Sequence, residues 1–398
     1  MNDDNLLKQF KNVINAALPL SQNNGVLDEK EIDRIIETFS KLPMYRDISD
    51  ADIKKVRNEI HSSYEIRLSK GIALVSKQHK KWLVTRKPTL DLKYWNRFVQ
   101  YLQNDKGLSQ SVVSTMDEVS DEIVDLLGDP QSKKEEQRRG LIIGDVQSGK
   151  TLSYSGLICK AVDAGYRTVI LLTGTSNDLR RQTQIRLDEA FIGMDSASVG
   201  KKDRLIFIGA GKYDSEGNPM LFVIKKNVSV LKNLTEWIKA QNQIGENKID
   251  TPILIIDDEA DYASVNTKKP EDDPTKTNNY IVGLLNSFRF ASYVGFTATP
   301  YANIFIDPTS NEEMENENLF PGDYIYALEA PSNYIGARNI FPAGAKYHKM
   351  LRDIDDGEAY YPLRHKSGDD LGHISKTLED AINTFLLANV IRDLRGDL

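Results

Sequence analysis

Disulfide bonding within the chain is excluded at the outset, because the 398 residues include a single cysteine, Cys159. One thiol and no partner fit a reducing compartment, and a cytoplasmic location is expected. Long apolar runs are also missing. None reaches the roughly 18 residues that a membrane-spanning helix requires, so no membrane role is expected. The five histidines are scattered, and no Cys/His cluster has the spacing of a zinc site. The N-terminus, Met1-Asn2-Asp3-Asp4, is acidic where a signal peptide is basic. A surplus of positive charge is absent too. The formal net charge of -7 argues against a uniformly basic coat for nucleic acid. It leaves room for a local basic groove, since motors on nucleic acid hold the strand in a restricted channel. What remains is a globular composition, 27% charged and 40% hydrophobic, on a length sufficient for two or three domains and a large core.

The strongest feature present is Gly144-Asp145-Val146-Gln147-Ser148-Gly149-Lys150-Thr151. It has the spacing of a phosphate-binding loop. The apolar Leu141-Ile142-Ile143 before it reads as a buried strand. The stretch from Leu152 to Ala161 after it continues as a helix, and strand, loop, helix is the context such a loop requires. Backbone N–H groups can then point inward at phosphates, and the helix start adds partial positive charge. Gly149 allows close backbone approach. Lys150 reaches the β- and γ-phosphates of ATP, and the Thr151 hydroxyl binds Mg²⁺. Cys159, in the following helix, reads as a small buried residue rather than a nucleophile.

Residues 1–130 read as a mostly helical N-terminal domain. Leu6, Phe10, Val13, Ile14 and Ala17 fall at helical spacing. Asp28 is an expected N-cap for a helix carrying Ile32, Ile35, Ile36 and Phe39. A third helix is expected from Ser49 to near Val75. The stretch Lys77-Gln78-His79-Lys80-Lys81-Trp82, with Arg86 and Lys87, admits two readings. It is a nucleic-acid contact or, as such runs more often are, a solvated helix end with a core tryptophan. Asp129-Pro130 and the charged segment from Ser132 to Arg139 read as a boundary.

From Gly140 strands and helices alternate, which implies a parallel sheet. Strands are expected at Thr168–Leu172, Leu205–Ile208, Leu221–Ile224, Ile253–Ile256 and Ser292–Phe296. Helices are expected from Asn177 to Phe191, through Leu231, Leu234, Trp237 and Ile238, and near Tyr280 to Phe288. Residues 264–279 and Asn311 to Asn318 read as surface loops, and Ile374 to Leu394 returns to helical periodicity. The fold class is therefore α/β, a parallel phosphate-loop sheet flanked by helices and preceded by the helical region. The expected division is 1–130, an ATPase lobe at 131–330, and a connector with the start of a further region at 331–398.

The strand Ile253–Ile256 runs into Asp257-Asp258-Glu259-Ala260-Asp261. Acidic residues at a strand end are what an NTPase needs opposite its phosphate loop. Asp258 is expected to hold Mg²⁺ through water and Glu259 to orient or deprotonate the attacking water. Asp257 competes for the metal side, one residue out of register. A third strand ends in Phe296-Thr297-Ala298-Thr299-Pro300, whose Thr297 and Thr299 hydroxyls can bond the acidic motif and relay nucleotide state to a bound strand.

These three motifs in this order resemble the first, RecA-like motor lobe of superfamily 2 helicases and translocases. More closely, the chain resembles the bacterial Z-one domain endonuclease family, which carries a helicase-type ATPase. The resembling stretches are Arg139 to Thr151, Ile158 to Tyr166, Leu179 to Arg186, Tyr301-Ala302-Asn303, Pro331 to Gly336 and Phe385 to Ala388, within about residues 80 to 398. The resemblance implies a DNA-dependent ATPase in a restriction or anti-phage setting. It implies protein partners such as a methyltransferase, a nuclease or a second ATPase. Lys150, Asp258 and Glu259 would be catalytic, and Arg180, Arg181 and Gln182 would touch the DNA backbone. A complete motor has a second lobe that supplies an arginine finger. This chain stops at Leu398, where the Z-one domain would be starting, so a fragment, or dependence on a partner, is expected. No nuclease constellation is evident. Asp355, Asp356 and Glu358, and Asp369 and Asp370, read as solvated acidic loops. Two rival readings stand beside the motor. A P-loop phosphotransferase would carry its own substrate lid and ignore DNA. A non-enzymatic ATP-gated assembly module would bind ATP with negligible turnover.

Overall fold

The computed structural model describes residues 3–18, 29–65, 69–132, 134–145, 149–174, 176–192, 219–241, 248–262, 276–304, 319–357 and 373–395. Along the chain the elements are α1 (Asp3–Ala17), α2 (Glu29–Ser40), α3 (Asp50–Glu65), β1 (Ile72–Val75), α4 (Leu83–Arg86), α5 (Lys93–Asn104), α6 (Gln110–Leu126), β2 (Glu136–Ile143), α7 (Lys150–Ala164), β3 (Thr168–Thr173), α8 (Asn177–Leu187), β4 (Met220–Lys225), α9 (Val228–Gln241), β5 (Ile253–Asp258), α10 (Lys276–Asn286), β6 (Phe290–Thr297), α11 (Tyr301–Ile304), β7 (Tyr324–Ala327), α12 (Ala337–Ile340) and α13 (Lys376–Arg395).

The strands form one seven-stranded sheet in the order β1-β7-β2-β6-β5-β3-β4. Every neighbouring pair is parallel except β1 with β7. Its central strands are apolar at nearly every position because both faces are covered. Alternation assigns each residue to a side. Ile170 and Leu172 of β3 pack with Ile253 and Ile255 of β5 against α9 and α10. Val169 and Leu171 pack with Leu254 and Ile256 on the opposite face, against α5, α6 and α7. Each such side chain contributes about 1.5–3 kcal/mol on burial, and together they make the sheet a rigid platform. This is an α/β fold of RecA-like layout. No helix among the described residues is long and apolar enough to cross a membrane.

The chain divides into two compact units, one of residues Met1–Asp47 with Ile60–Tyr334 and one of Ile48–Glu59 with Ile335–Leu398. Within the first, Trp95 and Phe98 of α5 and Ile123 and Val124 of α6 share a core with Leu157, Ile158 and Cys159 of α7. Helices on both sides of the boundary expected at residue 130 thus belong to one packing unit. In the second unit α13 leaves Phe385, Leu386, Leu387 and Leu394 exposed. Asp356 there accepts the backbone N–H of Thr377 at 2.9 Å. The expected Leu205–Ile208 strand, the N-cap at Asp28, residues 264–275 of the expected 264–279 loop, the Asn311 to Asn318 loop, and Glu358, Asp369 and Asp370 lie outside the described residues; residues 276–279 of that loop are instead the start of α10.

Two further expectations are corrected. The helix expected to run to Val75 ends at Glu65, and Ile72–Val75 is a strand antiparallel to β7, with Ile72 opposite Ala327. Its strand character depends on a partner some 250 residues away, and Gly71 admits the approach: a Cβ there would lie 2.3 Å from the Tyr326 ring. β2 begins at Glu136, inside the charged segment read as a boundary. Arg138 can sit in this strand because it pairs with Asp323 at 3.1 Å and contacts His79 Nδ1 at 3.0 Å. Within the Lys77–Trp82 stretch Trp82 takes the structural reading, while Lys77, Lys80 and Lys81 are exposed. Trp82 donates its indole N–H to Leu127 O at 2.9 Å, and Asp125 accepts the backbone N–H groups of Trp82 and Leu83. Arg86 pairs with Asp129 and Lys87 with Asp117 and Asp121.

Gly140 in β2 is a position where size decides stability. A Cβ there would meet the buried Tyr324 ring at 2.0 Å. Gly140→Ala is expected to destabilise the fold by about 1–3 kcal/mol through overpacking, read as a lower urea midpoint. An unchanged midpoint would show that Tyr324 can move aside.

Candidate functional site

Sheet order brings the three motifs to one edge. β6 lies between β2 and β5, with Ile143 opposite Thr297 and Asp258 opposite Phe296. The loop after β2, the acidic turn after β5 and the Thr-Ala-Thr exit of β6 therefore open at the same end of parallel strands, where α/β sheets bind ligands. The ladder continues one residue beyond β2, as Gly144 N donates to Thr297 O at 3.0 Å.

Gly149 precedes α7 in a left-handed conformation, φ 99°. A residue with a Cβ resists that conformation, and glycine does not. The amides of Leu152 and Ser153 bond the Gly149 carbonyl at 2.9 and 3.1 Å, closing the first turn of α7. Lys150 Nζ donates to Gly144 O at 3.4 Å, spanning the loop. Asp145 is exposed. Val146, Gln147 and Ser148 lie outside the described residues.

The acidic turn separates its carboxylates. Asp257 is fully buried, with Lys226 Nζ at 2.9 Å on one oxygen and Tyr293 Oη donating at 2.6 Å to the other. It is thereby turned into the protein interior. Asp258 is partly buried and feels Lys150. Burial, then the Glu259 charge, push its carboxyl up to about 6, with Lys150 and Lys226 acting in the opposite direction. Glu259 is exposed at the strand end, and a Cβ on Gly174 would lie 3.3 Å from its Oε2.

Asp261 binds both threonines of the third motif. Thr297 Oγ1 donates to Oδ1 at 2.7 Å and Thr299 Oγ1 to Oδ2 at 2.6 Å. Burial opposes ionisation here, but the Thr299 and Thr297 hydroxyls outweigh it and hold the Asp261 carboxyl below its ordinary range. Thr299 N donates to Thr297 Oγ1 at 2.9 Å, and Asn303 Nδ2 to Ala260 O at 3.0 Å. The acidic turn and the β6 exit are therefore one hydrogen-bonded body. On α8, capped by Ser176 Oγ accepting from Leu179 N at 3.1 Å, Arg181 and Gln182 face solvent and Arg180 is half-buried.

Sequence reasoning left out several residues. Arg186 Nη1 of α8 donates to Thr151 Oγ1 at 3.5 Å. The Tyr154 hydroxyl meets Thr151 and Thr183, and burial followed by the Asp258 charge pushes it up to about 12. Its ring stands edge-on to Phe296 at 5.7 Å. Tyr154 falls in the second turn of α7, and Arg186 six residues past Arg180, but neither spacing names a partner. A cleft beside the loop is lined by Met116, Val119, Ser120 and Ile123 of α6, Ser153 of α7 and Leu328.

Residues 102–302 match the family model described as type III restriction enzyme, res subunit. No curated protein sequence matches the chain. Among solved structures, a DUF1998 helicase, MrfA, bound to DNA and AMPPNP, aligns at 12% identity with a TM-score of 0.32. That alignment covers 68% of this chain and 34% of the helicase, so the chain spans about a third of that protein's length.

Proposed function

Since the chain belongs to the type III restriction enzyme res subunit family and contains its superfamily 2 helicase-type ATPase domain, we propose that it binds and hydrolyses ATP to work on DNA. The observation that carries this reading is the convergence of Lys150 and Thr151, Asp258 and Glu259, and the Asp261–Thr297–Thr299 clamp at one sheet edge. In this reading Gly144 to Thr151 cradle the phosphates. Lys150 supplies a charge-assisted partner to them.

The donors near the phosphates, a threonine hydroxyl and a carboxylate, are hard oxygen ligands of the kind Mg²⁺ takes. The raised Asp258 carboxyl is one that a cation would keep ionised. Thr151 and Asp258 would hold the ion, which supplies charge neutralisation at the phosphates. Asp257, consumed by Lys226 and Tyr293, is left as an anchor of the turn. Glu259 orients the attacking water and accepts its proton. The Asp261 clamp couples that turn to Thr297 and Thr299, and Arg180, Arg181 and Gln182 contact the DNA backbone. The Z-one resemblance supports a cytoplasmic restriction or anti-phage role with a methyltransferase, nuclease or second ATPase as partner.

The test is steady-state phosphate release from ATP, with and without duplex and single-stranded DNA. DNA is expected to raise the rate, and the gain should shrink between low and moderate salt as backbone contacts release counterions. A rate indifferent to DNA would overturn the motor reading in favour of a phosphotransferase. ATP binding without turnover under any condition would favour the assembly module.

A further inference from the structure

A lysine just past a strand end is ordinarily solvated. Lys226 follows β4 with its side chain 0% exposed. A buried ammonium is retained where its charge and its donors are matched. Lys226 Nζ lies 2.9 Å from Asp257 Oδ1, donates to the Glu259 carbonyl, and donates to the Tyr262 carbonyl at 2.9 Å. Two of the ammonium's three N–H donors therefore go to main-chain carbonyls, and the Asp257 carboxylate beside them matches its charge. Those carbonyls belong to the acidic turn, and an ordinary ion pair would not require them.

Glu259 is the one non-glycine residue with a left-handed backbone among those described, φ 57°. Such a conformation is disfavoured for a residue carrying a Cβ and persists where its surroundings impose it. Here Tyr262 N donates to Glu259 O at 2.9 Å and Lys226 binds the same oxygen. Fixing that carbonyl fixes the peptide plane, and with it the direction in which the Glu259 side chain leaves the strand.

We propose that Lys226 is a positioning residue for ATP hydrolysis: by tying the Glu259 and Tyr262 carbonyls to Asp257, it holds the Glu259 carboxylate where it can orient the attacking water. The inference rests on the reading of Glu259 as the water-orienting residue. Lys226 itself reaches main-chain oxygens and a buried carboxylate.

The decisive variant is Lys226→Met combined with Asp257→Asn. Removing both charges together avoids stranding a buried carboxylate, and such paired replacement of similar volume is often neutral for stability. It is compared with the unaltered chain and with Glu259→Gln, measuring kcat and KM for ATP hydrolysis in the presence of DNA, the ATP dissociation constant, and Tm. The double variant is expected to keep its Tm and ATP affinity while kcat falls by about tenfold to a hundredfold, the range a misplaced catalytic group produces. A merely structural lysine would move Tm and affinity instead. If the double variant turns over ATP normally while Glu259→Gln does not, Lys226 has no positioning role. If Glu259→Gln itself turns over normally, the reading of Glu259 fails and the inference with it. Should that variant not fold, Lys226→Gln combined with Asp257→Asn, again without a stranded charge, carries the same comparison.

Discussion

Glu259→Gln is expected to leave ATP bound and turnover lost, with kcat lower by about 10²–10⁴. The carboxylate stands exposed at the end of β5, next to a carboxyl that feels Lys150. The amide copies its shape and the left-handed backbone, and cannot take a proton from water. The Lys226 and Tyr262 contacts go to the main-chain carbonyl, so they survive the change. ATP affinity, measured by equilibrium binding, should stay within a few-fold, while single-turnover phosphate release collapses. Full turnover in the Gln variant would place the base elsewhere. Asp258→Asn is the companion measurement for register. Retained Mg²⁺ dependence in that variant would point to Asp257, against its burial beneath Lys226 and Tyr293.

Lys150→Ala is expected to weaken ATP binding about 10- to 100-fold, because a hydrogen bond to a charged group contributes about 1.5–3 kcal/mol. The loss should appear in affinity before turnover. Within the chain, the Lys150 ammonium makes a long contact of 3.4 Å to Gly144 O. Its removal should therefore change stability by no more than about 0.5 kcal/mol. Calorimetric titration with ATP, alongside thermal melting, separates the two effects. Unchanged affinity would remove the loop from the phosphate site, and a large drop in Tm would make Lys150 a structural residue.

The phosphate loop, the acidic strand end and the Thr-Ala-Thr-Pro exit were all legible along the chain, because each is a local pattern. Each is an apolar run followed by the side chains its chemistry needs. The strands at 168–173, 220–225, 253–258 and 290–297 were legible for the same reason, since burial on both faces makes most of their positions apolar. β1 was not, because four apolar residues at an edge take strand form from β7. The first half of β2 was hidden by Arg138, whose burial is legible once Asp323 and His79 stand beside it. The basic run before Trp82 invited a nucleic-acid contact, and acidic partners on α6 and just after it explain Arg86 and Lys87 instead.

What the sequence by itself determined is the set of chemical parts: one phosphate cradle, three neighbouring aspartates with a glutamate, two threonines, and an α/β framework to carry them. Spacing and periodicity determine those, being properties of successive residues. Which part does what was decided by tertiary structure. Asp257, Asp258 and Asp261 are chemically identical. The fold buries the first beside Lys226, leaves the second partly buried within the field of Lys150 and gives the third to Thr297 and Thr299. The physical reason is that a carboxylate's role is set by the charges and donors around it. Those arrive from β4, α7 and β6, strands and helices that only the packed sheet brings within hydrogen-bonding distance.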